Sequence, residues 1–182
     1  MIINKNDIRK QMLLKRKEYA RSGQDEKGSL LCGRLTELSL YKEADRILCY
    51  MSYPGEADTR PIIEKALSDG KTVAFPKVLS GGDMAFYACD PDELRPGVYG
   101  IPEPETSEDK LVADGLMIMP LVAFDEKRNR IGHGGGYYDR YLEKYHLKTV
   151  ALAYEFQKTD MIPADPYDIK PDIIVTEDKI YI

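Results

Sequence analysis

At 182 residues, with 43% hydrophobic and 31% charged positions, the chain can bury one substantial core but not two, so a single domain over residues 1–182 is expected. The formal net charge of −5 excludes indiscriminate nucleic-acid binding, which draws on many Lys and Arg contacts to phosphates, and leaves any anionic ligand to a local basic cluster. There is no apolar signal core and no bilayer-length run, and Cys32, Cys49 and Cys89 are odd in number without metal-type spacing, so a cytoplasmic protein with reduced thiols and no membrane partner is expected.

From Asp7 to Tyr19 helix formers run without Gly or Pro, and a second helix is expected from Asp25 to Leu38. On a helix from Lys5 to Tyr19, the cations Lys5, Arg9 and Arg16 fall in one narrow arc and interrupt the apolar stripe of Ile8, Met12, Leu13 and Tyr19. Either a solvated basic face or an anion site fits that arc. Arg46 to Met51 predicts a strand, Pro54-Gly55 a turn, and Asp58 or Thr59 an N-cap with Pro61 in the first turn. The helix ends at Asp69-Gly70 before a strand over Thr72 to Phe75, completing a βαβ unit. Within it, Glu56 is a surface acid or a ligand contact, Met51 is core filler by default, and Lys77 meets an anion or caps a turn.

Asp83 to Cys89 predicts another strand, and Pro91, Pro96, Pro102 and Pro104 with Gly97 and Gly100 force an irregular segment. Leu116 to Phe124 is one apolar run, followed by a charged turn over Asp125 to Arg130. Tyr137 to His146 reads as a helix. Thr149 to Tyr154 and Ile173 to Thr176 read as strands, separated by a loop containing Pro163, Pro166 and Pro171. The expected fold is α/β: a single three-layer α/β/α domain, Rossmann-like, with a mostly parallel central sheet. Ligands in such folds bind beyond the carboxyl ends of the strands, where the loops after Met51 and Phe124 both open.

Between Arg130 and Asp139, Gly132, Gly134, Gly135 and Gly136 crowd around His133 directly before a helix. Glycines bring backbone N–H groups close to a ligand, and a helix N-terminus favours negative charge, so phosphate is the expected guest. No Lys-Ser or Lys-Thr follows, which excludes a Walker A loop, and Tyr137 stands where a dinucleotide fingerprint needs its last Gly. A plain strand-to-helix turn, with Asp139 complementing the helix dipole, also fits the residues. Asp139 could instead hold a Mg²⁺ that bridges phosphates. His133 and His146 have no partner spacing for a metal or a triad, and no Gly-x-Ser-x-Gly elbow is present, so hydrolase chemistry has little support.

Leu121 to Asp125 followed by Arg130-Ile131-Gly132-His133-Gly134-Gly135-Gly136-Tyr137-Tyr138-Asp139-Arg140 closely resembles the signature of 5-formyltetrahydrofolate cyclo-ligases. The resemblance extends through the Lys-rich first helix, the Met51 to Glu56 loop, Tyr99 to Pro104 and the late Pro171-Asp172. It implies ATP-dependent, Mg²⁺-assisted closure of 5-formyltetrahydrofolate to 5,10-methenyltetrahydrofolate, with ADP and phosphate released. It implies that Lys5, Arg9 and Arg130 through Tyr138 (Ile131 and the glycine loop included) bind ATP, with Arg130 and Lys5 stabilising charge during turnover. It further implies that Met51 and Glu56 contact the folate, that Tyr99, Ile101 and Pro102 line part of the pterin slot, and that Asp139 and Asp172 form the metal pair. Ile8 stands where many relatives carry Leu. The expected partners are these small molecules alone, with the chain a monomer or weak dimer. A noncatalytic nucleotide-binding regulator and a sugar-phosphate isomerase are the competing readings, since the fold alone does not choose between them.

Overall fold

The computed structural model describes residues 4–21, 26–97 and 100–182, so Asp25 and Tyr99 lie outside the described residues. Helix α1 (Lys5–Arg21) begins at Asn4, whose Oδ1 accepts the Asp7 N–H at 3.0 Å and satisfies one of the free amides of the first turn. It is followed by α2 (Glu26–Glu37) and a short α3 (Ser39–Glu43) that the sequence did not announce. The expected βαβ unit is present as β1 (Arg46–Cys49), α4 (Arg60–Ser68) and β2 (Thr72–Val78), with β1 and β2 parallel. Pro61 sits in the first turn of α4, and Gly70 leaves the helix at φ +75°. Thr59 occupies the N-cap without capping: its hydroxyl donates to Tyr50 O at 2.9 Å and accepts the Ser52 N–H at 3.1 Å, which ties the exit of β1 to the start of α4.

Strand β2 runs through Pro76, three residues past its expected end. Its register with β1 stops at Ala74, so from Phe75 onward only antiparallel β3 (Met84–Ala88) flanks it, and edge positions tolerate a missing N–H. A small ribbon, β4 (Arg95–Pro96) with β5 (Pro102–Glu103), precedes β6 (Leu111–Val112) and β7 (Leu116–Pro120). The apolar run from Leu116 is broken after Pro120. Residues 123–124 form β8 (Ala123–Phe124), which leaves the main sheet and pairs with β9 (Arg130–Ile131) in a hairpin. The Gln157 side chain satisfies the carbonyls released there, its Nε2 donating to Leu121 O at 2.9 Å and Val122 O at 3.0 Å. Helix α5 (Tyr137–Lys144), β10 (Lys148–Leu152), β11 (Ile173–Val175) and β12 (Ile180–Tyr181) complete the chain.

The main sheet has the order β12-β11-β10-β7-β1-β2-β3-β6, parallel from β11 to β2 and antiparallel at both margins. The two-residue alternation of strands sorts its side chains into two cores. Ile47, Val73, Phe75, Ile118, Val150 and Val175 face α2, α3 and α4, while Leu48, Ala74, Met117, Met119, Ala151 and Ile174 face α5. Ile62 and Ile63 of α4 are essentially fully buried, each contributing about 1.5–3 kcal/mol. Helix α1 docks mainly on a third cluster, its Ile8 and Met12 packed on Val122, on Ala123 and Ile131 of the hairpin and on Ile162, while its Tyr19 reaches the core that faces α2 to α4. That docking brings the cation-bearing face of α1 to the carboxyl edge of the parallel strands. Among the described residues no helix is long and apolar enough to cross a membrane.

Candidate functional site

Beyond the ends of β1, β2 and β7 lies a cavity of about 740 Å³. Its walls come from the exits of those strands, the start of α1, the segment from Arg130 to Asp139, and the loop carrying Asp165 and Asp168. The cavity gathers Lys5, Arg9, Met51, Glu56, Ile101, Arg130 through Tyr138, and Asp139.

Two positions depart from expectation. Pro102 is exposed and faces away, because the alternation of β5 turns its neighbour Glu103 inward; Glu103 is buried, lines the cavity and pairs with Lys77 at 3.4 Å. Lys77 therefore meets a carboxylate of this chain. Asp172 does not reach Asp139: it sits at the amino ends of β10 and β11, where its Oδ2 accepts the Thr149 N–H at 2.8 Å and the Thr149 hydroxyl at 3.1 Å. The expected Asp139–Asp172 pair is absent, because the five-residue stretch from Ile169 to Ile173 carries the chain from the cavity side to the opposite edge of the sheet. We predict that Asp172→Asn lowers the thermal midpoint by a few degrees and leaves the metal dependence of turnover unchanged; a shifted metal requirement would restore Asp172 to the site.

The phosphate-type end is built from the glycine segment and three cations. Gly134 has φ +104° and Gly136, the N-cap of α5, has φ +66°, conformations that L side chains rarely adopt. Arg9 Nε donates to Gly132 O at 2.9 Å and so fixes the segment against α1. Arg130, buried in β9, donates from Nε to Ile169 O at 3.1 Å and from Nη2 to Asp139 Oδ1 at 2.7 Å. The Ile169 N–H reaches that same Asp139 oxygen at 3.1 Å, so the second oxygen keeps its acceptor capacity. Lys5 Nζ lies 2.7 Å from Asp165 and also bonds Asp168. Burial works against its charge, but the two carboxylates outweigh it and raise the Lys5 pKa above the ordinary lysine value. Asp168 is correspondingly lowered: Lys5, the Asp165 N–H and Arg130 outweigh its burial.

The other end is organised around Glu56, whose side chain is 7% exposed. Its Oε2 accepts the Tyr53 N–H at 2.9 Å, while Oε1 lies 2.9 Å from His133 Nε2 and 3.3 Å from Arg16 Nη2. Burial raises its pKa, yet the His133 hydrogen bond, the Arg16 guanidinium and the Tyr53 amide more than compensate and hold it below the usual carboxylate range. Glu56 is thus an ionised acceptor in a largely apolar slot beside Met51, Val78, Met84 and Ile101. Tyr138, half-buried beside it, has its phenol pushed far up by desolvation and by the Glu56 charge.

Arg16, Asp165 and Asp168 belong to this arrangement although the sequence did not single them out as site residues. Arg16 was visible as the third cation of its arc. The two acids stand in the Pro163–Pro171 loop, and nothing in their spacing ties them to Lys5.

Among the described residues no group of three or more His, Cys, Asp or Glu side chains forms a metal cage. A hard cation such as Mg²⁺ needs only one or two carboxylates when phosphate oxygens supply the remaining ligands. Asp139, which lines the cavity and keeps one carboxylate oxygen outside its contacts with Arg130 and Ile169, fits that role.

Comparison with known proteins identifies the family and the fold. Residues 2–177 match the model of the 5-formyltetrahydrofolate cyclo-ligase family. A 5-formyltetrahydrofolate cyclo-ligase of Escherichia coli is 35% identical over 167 residues, covering 87% of this chain and 92% of its own. A probable 5-formyltetrahydrofolate cyclo-ligase of Schizosaccharomyces pombe is 32% identical over 176 residues, 86% of each chain. The solved structure of Aquifex aeolicus 5,10-methenyltetrahydrofolate synthetase superposes with a TM-score of 0.83 at 32% identity, covering 97% of this chain and 91% of that one.

Proposed function

The chain belongs to the 5-formyltetrahydrofolate cyclo-ligase family, and from that premise we propose that its cavity binds 5-formyltetrahydrofolate and ATP together and closes the folate to 5,10-methenyltetrahydrofolate. The observation that carries the reading is the polarity of this cavity: an ionised acceptor in an apolar slot at one end, and cations with a glycine-lined helix N-terminus at the other. Family membership sets aside the regulator and isomerase readings.

In the reaction the N5-formyl oxygen attacks the γ-phosphorus, forming an O–P bond as the bond to ADP breaks. N10 then attacks the activated formyl carbon, loses its proton, and phosphate departs with the formyl oxygen. No covalent enzyme nucleophile is required. The protein's part is to align the formyl oxygen with the γ-phosphate and to balance the charge on the transferring group, the usual division of labour in phosphoryl transfer.

Glu56 would accept hydrogen bonds from the pterin, with Met51 and Ile101 against its ring. Arg9 and the amides of residues 132–136 would hold the phosphates, and Arg130 and Lys5 would meet the charge that develops. Asp139 would hold a Mg²⁺ through its second carboxylate oxygen, and the ion would supply charge neutralisation to the bound phosphates. A monomer or weak dimer in the cytoplasm completes the proposal.

The test is to mix the purified protein with 5-formyltetrahydrofolate, ATP and Mg²⁺ and to follow the near-ultraviolet absorbance of the methenyl bridge. A rise that requires ATP is expected. A folded protein that binds ATP and gives no rise would overturn the reading.

A further inference from the structure

The groups proposed for the two substrates are already joined to each other through two consecutive residues of the glycine segment. Arg9, assigned to phosphate, bonds Gly132 O at 2.9 Å. Glu56, assigned to the pterin, is 2.9 Å from His133 Nε2. Resting on that assignment, we infer that His133 is a latch whose release couples folate binding to ATP binding.

A carboxylate has about four lone-pair sites. Three of those on Glu56 face protein groups: the Tyr53 amide, His133 and Arg16. A pterin edge presenting two adjacent N–H donors needs two sites, so one of these partners must give way. Tyr53 N–H is fixed in the turn that Glu56 N closes onto Tyr53 O at 2.9 Å. Arg16 is 4% exposed and anchored by its Nε to Gly55 O at 3.0 Å, so it stays and holds the carboxylate in place. His133 has a half-exposed side chain, is flanked by glycines and has beyond Glu56 only a 3.3 Å contact from Nε2 to Arg16 Nη1, so of the three it is the partner able to leave.

The phosphate side makes the same demand. Arg9 holds Gly132 through Nε and Asn6 through Nη1, so turning its guanidinium and the amides of this segment onto a triphosphate would draw Gly132, and His133 with it, from their present places. Either ligand therefore breaks the His133–Glu56 contact, and the second to bind finds it already broken. The consequence is positive and reciprocal coupling between the two affinities, about fivefold or more.

The test is calorimetric titration of 5-formyltetrahydrofolate into the protein with and without a nonhydrolysable ATP analogue plus Mg²⁺. For wild type, folate binding should tighten about fivefold or more when the analogue is present. His133→Ala should bind folate alone more tightly than wild type does and show no further gain from the analogue. His133→Gln, whose amide can still donate to Glu56, should retain coupling. A wild type that binds both ligands independently, or a His133→Ala protein that keeps the full coupling, overturns the latch and leaves the cyclo-ligase reading standing. A folded wild type that binds no 5-formyltetrahydrofolate removes both.

Discussion

Replacing Arg130 with alanine is expected to lower turnover by about two to three orders of magnitude, the range seen when a preorganised donor to developing charge is lost. Arg130 is 7% exposed and its guanidinium is held rigidly, between Ile169 O and Asp139, at the mouth of the glycine segment. A donor fixed in this way reorganises little as charge moves onto the transferring phosphoryl group. The substitution also leaves Asp139 without its cation. Asp139 is 30% exposed, so solvent takes up part of the loss, and the stability penalty is about 2 kcal/mol, short of that for a fully buried pair. A domain of this size tolerates that, so activity and thermal midpoint separate the two effects. Arg130→Lys retains the charge but cannot bridge Ile169 O and Asp139 together, and should fall between. Near wild-type turnover in folded Arg130→Ala would remove Arg130 from the chemistry.

The parts of the fold that were legible in the sequence are those decided by local pattern. Short apolar runs, Pro61 inside the start of α4 and Gly70 just past its end mark the β1-α4-β2 unit without help from distant residues. The break between β7 and β8 was not legible, because the side chain that satisfies the carbonyls of Leu121 and Val122 there, Gln157, lies about 36 residues away. The site divides in the same way. Glycine crowding marks the phosphate end because the backbone conformation itself requires it. The acids on Lys5 are 160 and 163 residues distant and follow only from how α1 docks. Asp172 was carried over from a family position, and position alone does not say which edge of the sheet a residue reaches.

Lys5 is the case in which that long-range contact changes an expected result. Considered alone, Lys5 attracts phosphate; in the structure its ammonium also neutralises Asp165 and Asp168, which share the wall of the cavity. Lys5→Met should therefore act twice, removing a cation and exposing two carboxylates to the triphosphate. Each charge-assisted contact is worth about 1.5–3 kcal/mol, so the KM for ATP should rise about 100-fold while the KM for the folate, measured at saturating ATP, stays within a factor of about two. The two contributions separate in a double-mutant cycle. Asp168→Asn alone removes a competitor for Lys5 and should bind ATP more tightly than wild type. In the Lys5→Met, Asp168→Asn double variant the repulsion is relieved, and a large part of the lost ATP affinity should return. Lys5 stands in the first turn of α1, ahead of the buried Ile8 and Met12, so the substitution leaves the docking of the helix intact. Wild-type ATP affinity in Lys5→Met would place Lys5 outside the phosphate site. A double variant no better than the single would show that the acids act on Lys5 alone, with no direct effect on the nucleotide.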